Sequence, residues 1–339
     1  MKLSPKIAAI IISIIGAVVC WATHVPLPFL LGPMFACLIA AIAKVPMAGI
    51  KPLSDGMRTI LGVAVGASIT PELFGKIGSM ATTVAMVPVF VLIIGLIGVP
   101  YFKRICGFDT PTSYYASMPG GLQDMLVFGE EAGADVRALS LVHATRVLII
   151  VSALPFILQG WWELDLSMPP GAPAKSMPLD QIALMFFAAI AGWWGALKIK
   201  LFGASILGPL IVAAVLSLTG VLHMRPPAEA IWASQFFIGI SVGVKYAGIT
   251  PKELRHDLLA GIGFCLILLM LSAGFVEIII ALNLAPPLET VLAFSPGGQA
   301  EMAVLAIVAG ADIAFVVAHH VVRIVVVIIC APIFGRLIR

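Results

Sequence analysis

The second half of this chain repeats the first, and that duplication constrains the fold more than any other feature. LGPMFACLIAAIA (31–43) returns as LGPLIVAAVLSLTG (207–220), and LGVAVGASITPEL (61–73) as IGISVGVKYAGITPKEL (238–254). The longest pair sets YASMPGGLQDMLVFGEEAGADVRALSLVHATRV (115–147) against AFSPGGQAEMAVLAIVAGADIAFVVAHHVVRI (293–324). With an offset of 177, Pro119, Gly120, Gly121, Met125, Gly133, Ala134, Asp135, His143 and Arg146 recur as Pro296, Gly297, Gly298, Met302, Gly310, Ala311, Asp312, His320 and Arg323. Asp124 returns as Glu301, which keeps a carboxylate. Self-similarity of this kind means two copies of one structural unit.

The medium in which those copies fold follows from composition. Of 339 residues 61% are hydrophobic and 11% charged, with a mean hydropathy of +1.11. In water that would leave far too much apolar surface exposed, so the chain is expected to be an all-α, polytopic membrane protein. Its apolar runs are continuous and do not alternate, which excludes a transmembrane barrel. Each half holds six hydrophobic elements, near 6–22, 27–43, 54–70, 76–100, 110–130 and 136–158, then 179–197, 204–222, 226–246, 257–282, 288–309 and 312–335. The expected organisation is a first transmembrane repeat over 1–158, a proline-rich linker over 159–178 and a second repeat over 179–339. MKLSPKIAAIIISIIGAVVCW lacks a small-x-small cleavage site and reads as the first membrane helix. Cys20, Cys37, Cys106, Cys265 and Cys330 form no CxxC pair and read as small apolar residues without a redox or metal role. Lys and Arg are scattered singly, so nucleic acid is not an expected partner.

Positive charge bears on whether the halves run parallel or inverted, because Lys and Arg accumulate in cytoplasmic loops. If all six elements of each half span, the halves are parallel and the cations divide 11 inside against 7 outside. If the fifth element dips in and returns, the second half is inverted. Only Lys76, Lys175 and Arg225 then lie outside and Arg146 and Arg323 within the membrane, which leaves 15 inside. The inverted arrangement fits better. MPGG and SPGG also suit a break, since proline lacks an amide donor and a glycine pair favours non-helical backbone. A broken spanning helix is the close competitor.

Irregular backbone at membrane depth is tolerated only where protein or a water-filled cavity surrounds it, and paired breaks in corresponding positions point to a transporter's substrate site. The candidate substrate or ion site is therefore Pro119, Gly120, Gly121, Gln123 and Asp124 with Pro296, Gly297, Gly298, Gln299 and Glu301. Half-helices start after each break, and their amides and positive dipole ends favour an anionic group. Asp124 and Glu301 could bind a cation, take up a proton or serve their own helix ends. His143 with Arg146, and His320 with Arg323, are spaced to share a helix face. With Asp135 and Asp312 they form a candidate charge or proton relay, or else an internal lock between break and helix. His319 points to another face and reads as incidental. Gly62, Gly66, Gly239 and Gly243 have small-xxx-small spacing, which suits close helix packing. LGP at 31–33 and 207–209 is expected to put proline in the first turn of a helix.

With the duplicated LGP, SITPEL/GITPKEL and PGG…GAD…H..R segments in view, the sequence resembles the bacterial AbrB membrane protein family across essentially the whole chain. That family shares only a name with the soluble DNA-binding transition-state regulator, and is labelled an ammonia monooxygenase or a regulator of the adaptive-response gene aidB. Its relation to the cation/proton antiporter, bile-acid symporter and anion transporter superfamily implies inverted repeats, an elevator-like mechanism and a homodimer in the inner membrane. Against the monooxygenase label, the six histidines give no recognisable ligand motif, although His143 and His320 could converge with Asp124 and Glu301. A Walker A motif is absent, so ATP is not the direct drive. The expected function is a secondary-active transporter of a small solute or ion, proton- or ion-coupled, with no catalytic residue, metal or cofactor. The rivals are a membrane-embedded regulator acting indirectly and a membrane monooxygenase.

Overall fold

The computed structural model describes residues 4–337 apart from 167–170 and 202; the side chains of residues 72–77, 79, 123, 332 and 334–337 lie outside that description. The described residues form helices α1 (Pro5–Ala22), α2 (Pro28–Ile42), α3 (Lys51–Gly66), α4 (Pro71–Pro100), α5 (Thr110–Ser117), α6 (Leu122–Glu131) and α7 (Val136–Trp162). A second set follows in the same order: α8 (Leu179–Lys198), α9 (Ala204–Leu218), α10 (Ala228–Gly243), α11 (Pro251–Ala281), α12 (Pro287–Phe294), α13 (Gln299–Val308) and α14 (Ile313–Leu337). Each repeat thus supplies seven helices, because its fifth hydrophobic element is two short ones.

Local chemistry sets these boundaries. Proline opens α1, α2, α4, α11 and α12, where its missing donor costs nothing. Thr250 and Glu253 form a reciprocal capping box at the start of α11. The duplicated GAD is a stop and a start in three residues. Gly133 and Gly310 take the left-handed conformation that ends α6 and α13 (φ +79° and +68°). Asp135 then accepts from the amides of Arg137 (2.9 Å) and Ala138 (3.0 Å) to begin α7.

Among the described residues six helices are long and apolar enough to cross a bilayer, and the chain is a multi-pass membrane protein. Ile7, Ile14, Ile15 and Val18 of α1, and Phe186, Phe187, Ile190 and Trp194 of α8, face outward, as a lipid solvent allows.

The helices sort into two compact units, and each draws on both repeats. One comprises Met1–Ile77, Leu154–Ala247 and Ala303–Ala314; the other comprises Gly78–Ala153, Gly248–Met302 and Phe315–Arg339. Within the first unit, small residues let helix backbones touch. A methyl on Gly62 or Gly66 of α3 would strike the carbonyls of Ile206 or Leu210 in α9, and one on Gly239 of α10 would strike that of Leu30 in α2. Gly16 and Gly32 join α1 to α2 in the same way, as Gly192 and Gly208 join α8 to α9. The close packing expected of the third elements is thus present, and it repeats in both halves. The LGP prolines differ from expectation. Pro33 and Pro209 sit inside α2 and α9, about a turn deeper than the first turn, because each helix starts several residues earlier, at Pro28 and Ala204.

Candidate functional site

The second unit contains both Pro-Gly-Gly breaks. Around the first, Met118 and Gly121 are extended (ψ 127° and 137°), so α5 ends and α6 begins at a sharp interruption. The direction of the returning chain follows from one hydrogen bond. The amide of Asp135, just before α7, donates to Thr112 Oγ1 in the first turn of α5 at 2.8 Å. Entry to α5 and exit from α6 therefore lie at the same level, and the pair is a hairpin with Pro119, Gly120 and Gly121 at its tip. Helix α5 runs parallel to α7, since Thr112 is level with Asp135, Tyr115 with His143, and Met118 with Arg146.

A break leaves carbonyls without helical donors, and an unpaired carbonyl in a dry interior is costly. The histidine and arginine of each repeat meet that need. Arg146 donates from Nη1 to Met118 O (3.3 Å) and from Nη2 to Gly120 O (3.0 Å); Arg323 does so to Ser295 O (3.0 Å) and Gly297 O (2.7 Å). His143 Nε2 meets Tyr115 O at 3.0 Å, and His320 Nε2 meets Leu292 O at 2.9 Å. All four side chains are at most 3% exposed. The planar fork of arginine suits two carbonyls two residues apart in a way an ammonium does not. Because a carbonyl only accepts, Nε2 carries the proton in both histidines and Nδ1 presents a lone pair.

The carboxylates lie on the other side of each break. Asp124 and Glu301 occupy the third position of α6 and α13, and each folds back over its own repeat's last tip glycine. A methyl on Gly121 would meet Asp124 Oδ2, and one on Gly298 would meet Glu301 Oε2. Glu301 is buried, and Asp124 is half-buried. The two tips share one electrostatic neighbourhood: Arg146 lies within Coulombic reach of Glu301, and Arg323 within reach of Arg146. A methyl on Gly120 would also meet Val327 of α14, so the first break abuts the last helix of the second repeat.

Several polar atoms here are buried without a hydrogen-bond partner: Nε of Arg146 and of Arg323, Nδ1 of His143 and of His320, and Nε2 of Gln299. The arginine and histidine atoms match pairwise across the repeats. Two helix N-termini, unpartnered donors and acceptors, and two carboxylates are thus gathered at the tips.

Of the residues nominated from sequence, the structure gathers Pro119, Gly120, Gly121, Asp124, His143 and Arg146 around one tip, and Pro296, Gly297, Gly298, Gln299, Glu301, His320 and Arg323 around the other. The side chain of Gln123 lies outside the described residues. Asp135 is not with Arg146. It caps α7, and eleven residues of helix separate them, about 16 Å at 1.5 Å per residue. Asp312 holds the equivalent place before α14. Among the described residues no three His, Cys, Asp or Glu side chains form a group that could hold a metal ion. Supports that the sequence did not announce include Tyr114, whose hydroxyl donates to Ala331 O (3.1 Å), Ser272, which donates to Phe294 O (3.0 Å), and Gly98, which admits Ser117 against α4. Only Gly98 carried any signal, as a small residue in an apolar helix.

The family described as "Transition state regulatory protein AbrB" matches residues 29–339. The chain is similar to "Uncharacterized protein YhjN" of Bacillus subtilis (strain 168), 25% identical over 358 residues that cover 97% of this chain and 92% of the relative. It is also similar to "Putative regulator AbrB" of Escherichia coli (strain K12), 24% identical over 335 residues that cover 94% of this chain and 91% of the relative.

Proposed function

The chain belongs to the AbrB family, and from that premise we propose that it is a secondary-active transporter of a small solute or ion in the bacterial inner membrane, coupled to an ion or to protons. The observation that carries this reading is the pair of Pro-Gly-Gly hairpin tips, each clamped by a buried arginine and backed by a carboxylate. A packed core has no use for two interruptions with orphaned polar atoms, whereas a site that must bind and release a polar solute does.

Topology supports the same reading. With the fifth element folded back on itself, each repeat crosses an odd number of times and the second is inverted, which is also the arrangement that puts 15 Lys and Arg on one side against 3. The first hairpin then enters from the cytoplasmic side and the second from the opposite side. In this scheme Asp124 and Glu301 bind the coupling ion or proton, the tip backbone holds the solute, and Arg146 and Arg323 balance charge. No enzymatic step is part of it. The family description and the name of the Escherichia coli relative speak of regulation, and on this chain such a role would be indirect, through the solute moved.

A thermal-shift screen of the purified protein against metabolites and inorganic cations, followed by uptake of the stabilising compound into proteoliposomes, tests the proposal. Coupled uptake should be lost in the Asp124→Asn, Glu301→Gln double variant. Unchanged coupled uptake in that variant contradicts the assignment.

A further inference from the structure

His319 lies outside the repeat pattern, since Val142 holds its place in the first half. It is 1% exposed, and both of its ring nitrogens are engaged. Nδ1 is 2.8 Å from Phe315 O, so Nδ1 carries a proton in every state. Nε2 is 3.0 Å from Thr83 Oγ1, and that hydroxyl is also 2.9 Å from Met80 O. A hydroxyl has one proton to give. If Thr83 donates to His319 Nε2, the ring is neutral. If Thr83 turns its proton to Met80 O, its oxygen accepts from Nε2–H and the ring is an imidazolium. Both states are fully hydrogen-bonded, and only the hydroxyl rotates between them.

His143 and His320 offer the opposite case. Each has Nε2–H committed to a carbonyl and Nδ1 without a partner, so a second proton would arrive as an orphaned N–H three residues from a buried arginine. His319 also has a surrounding that tolerates charge. The rings of Phe315 and Phe294 lie 4.2 and 5.7 Å from its own, within cation–π range. Phe294 is the last residue of α12, immediately before Ser295, whose carbonyl Arg323 clamps. Among the described residues, the charged or titratable groups near it are on its own helix, His320 beside it and Arg323 a turn further on. From α4 and α12 the contacting side chains are Thr83 and Phe294, neither of them ionisable.

We propose that His319, with Thr83 as a rotating hydroxyl partner, is a proton-carrying site of this protein additional to the tip carboxylates, placed directly behind the second hairpin tip. The inference rests on the transporter reading for its role, but the protonation chemistry stands on geometry alone. Proton uptake places a cation next to the end of α12, where the helix dipole favours one, and so couples protonation to the tip.

Nitrogen-15 NMR of histidine-labelled protein in lipid nanodiscs tests it, with His319→Gln and, if that variant does not fold, His319→Asn to assign the resonances. At alkaline pH His319 should show the Nδ1–H tautomer, while His143 and His320 show Nε2–H throughout. On acidification both nitrogens of His319 should move together to imidazolium values. Thr83→Val removes the acceptor of the second proton and should lower the midpoint by about one to two pH units, whereas Thr83→Ser should leave it in place. A ring that stays neutral until the protein unfolds, or a midpoint indifferent to Thr83→Val, overturns the proposal. Proton-driven uptake measured in parallel separates the two readings: titration without flux sustains the proton site and contradicts the transporter, and flux with a silent His319 does the reverse.

Discussion

Arg146 and Arg323 each replace two backbone donors that the extended turn has removed, while His143 and His320 replace the one that the proline lacks. That role predicts how substitutions behave. Arg146→Met and Arg323→Met should each cost about 3 kcal/mol, the worth of two charge-assisted hydrogen bonds, with the carbonyls left unpaired. Arg→Lys at either position should recover only part of this, because an ammonium cannot fork to two carbonyls. Thermal unfolding in detergent followed by tryptophan fluorescence checks the order wild type, Lys, Met. An Arg→Lys variant as stable as the wild type would contradict the clamp. The sequence shows these side chains plainly, since buried His-x-x-Arg in an apolar run is rare. It points to carboxylates as their partners, and here the partners are carbonyls. Free carbonyls are made by backbone geometry and leave no trace in residue type, which is why Asp135, read as a relay acid, is in fact a helix cap.

The repeats make their clearest structural statement in the helices. Apolar runs located every element, and the largest boundary error falls where a polar cap extends a helix beyond its apolar stretch: α11 begins at Pro251, six residues before the expected 257, where Thr250 and Glu253 cap it. The fold-back of the first repeat's fifth element shows in the Thr112–Asp135 contact, a tertiary feature with no local signature. Packing in the first unit is predictable from glycine spacing, and the equivalence of the halves sharpens it. Gly62→Ala and Gly239→Ala each push a methyl into a backbone carbonyl, which cannot swing aside, so each should cost about 1–3 kcal/mol and by similar amounts. Gly195→Ala on α8, where a methyl meets nothing within 4 Å, should be neutral or slightly stabilising. Denaturation midpoints of the three variants decide the matter, and equal stability of Gly62→Ala and Gly195→Ala would refute the close approach of α3 to α9.

At the scale of the molecule, the chain is not divided at its linker into two compact halves; each compact unit takes helices from both repeats. Duplication is visible in sequence because residues at equal spacing match, whereas intermixing of the copies depends on contacts between distant segments. The scarcity of charge points to the membrane, and the positions of the few charges support the proposed topology. In the proposed arrangement α5 and α6 return to the side they left, and the second repeat is inverted. Single cysteines replacing Lys103, Glu130, Lys175 and Lys198, in a protein whose five native cysteines have been replaced, can be labelled with a membrane-impermeant maleimide from either side of oriented vesicles. The account predicts Lys103, Glu130 and Lys198 on the cytoplasmic side and Lys175 alone opposite. Glu130 and Lys198 both opposite Lys103 would mean that the fifth element crosses, that the repeats run parallel, and that the paired hairpin site does not exist.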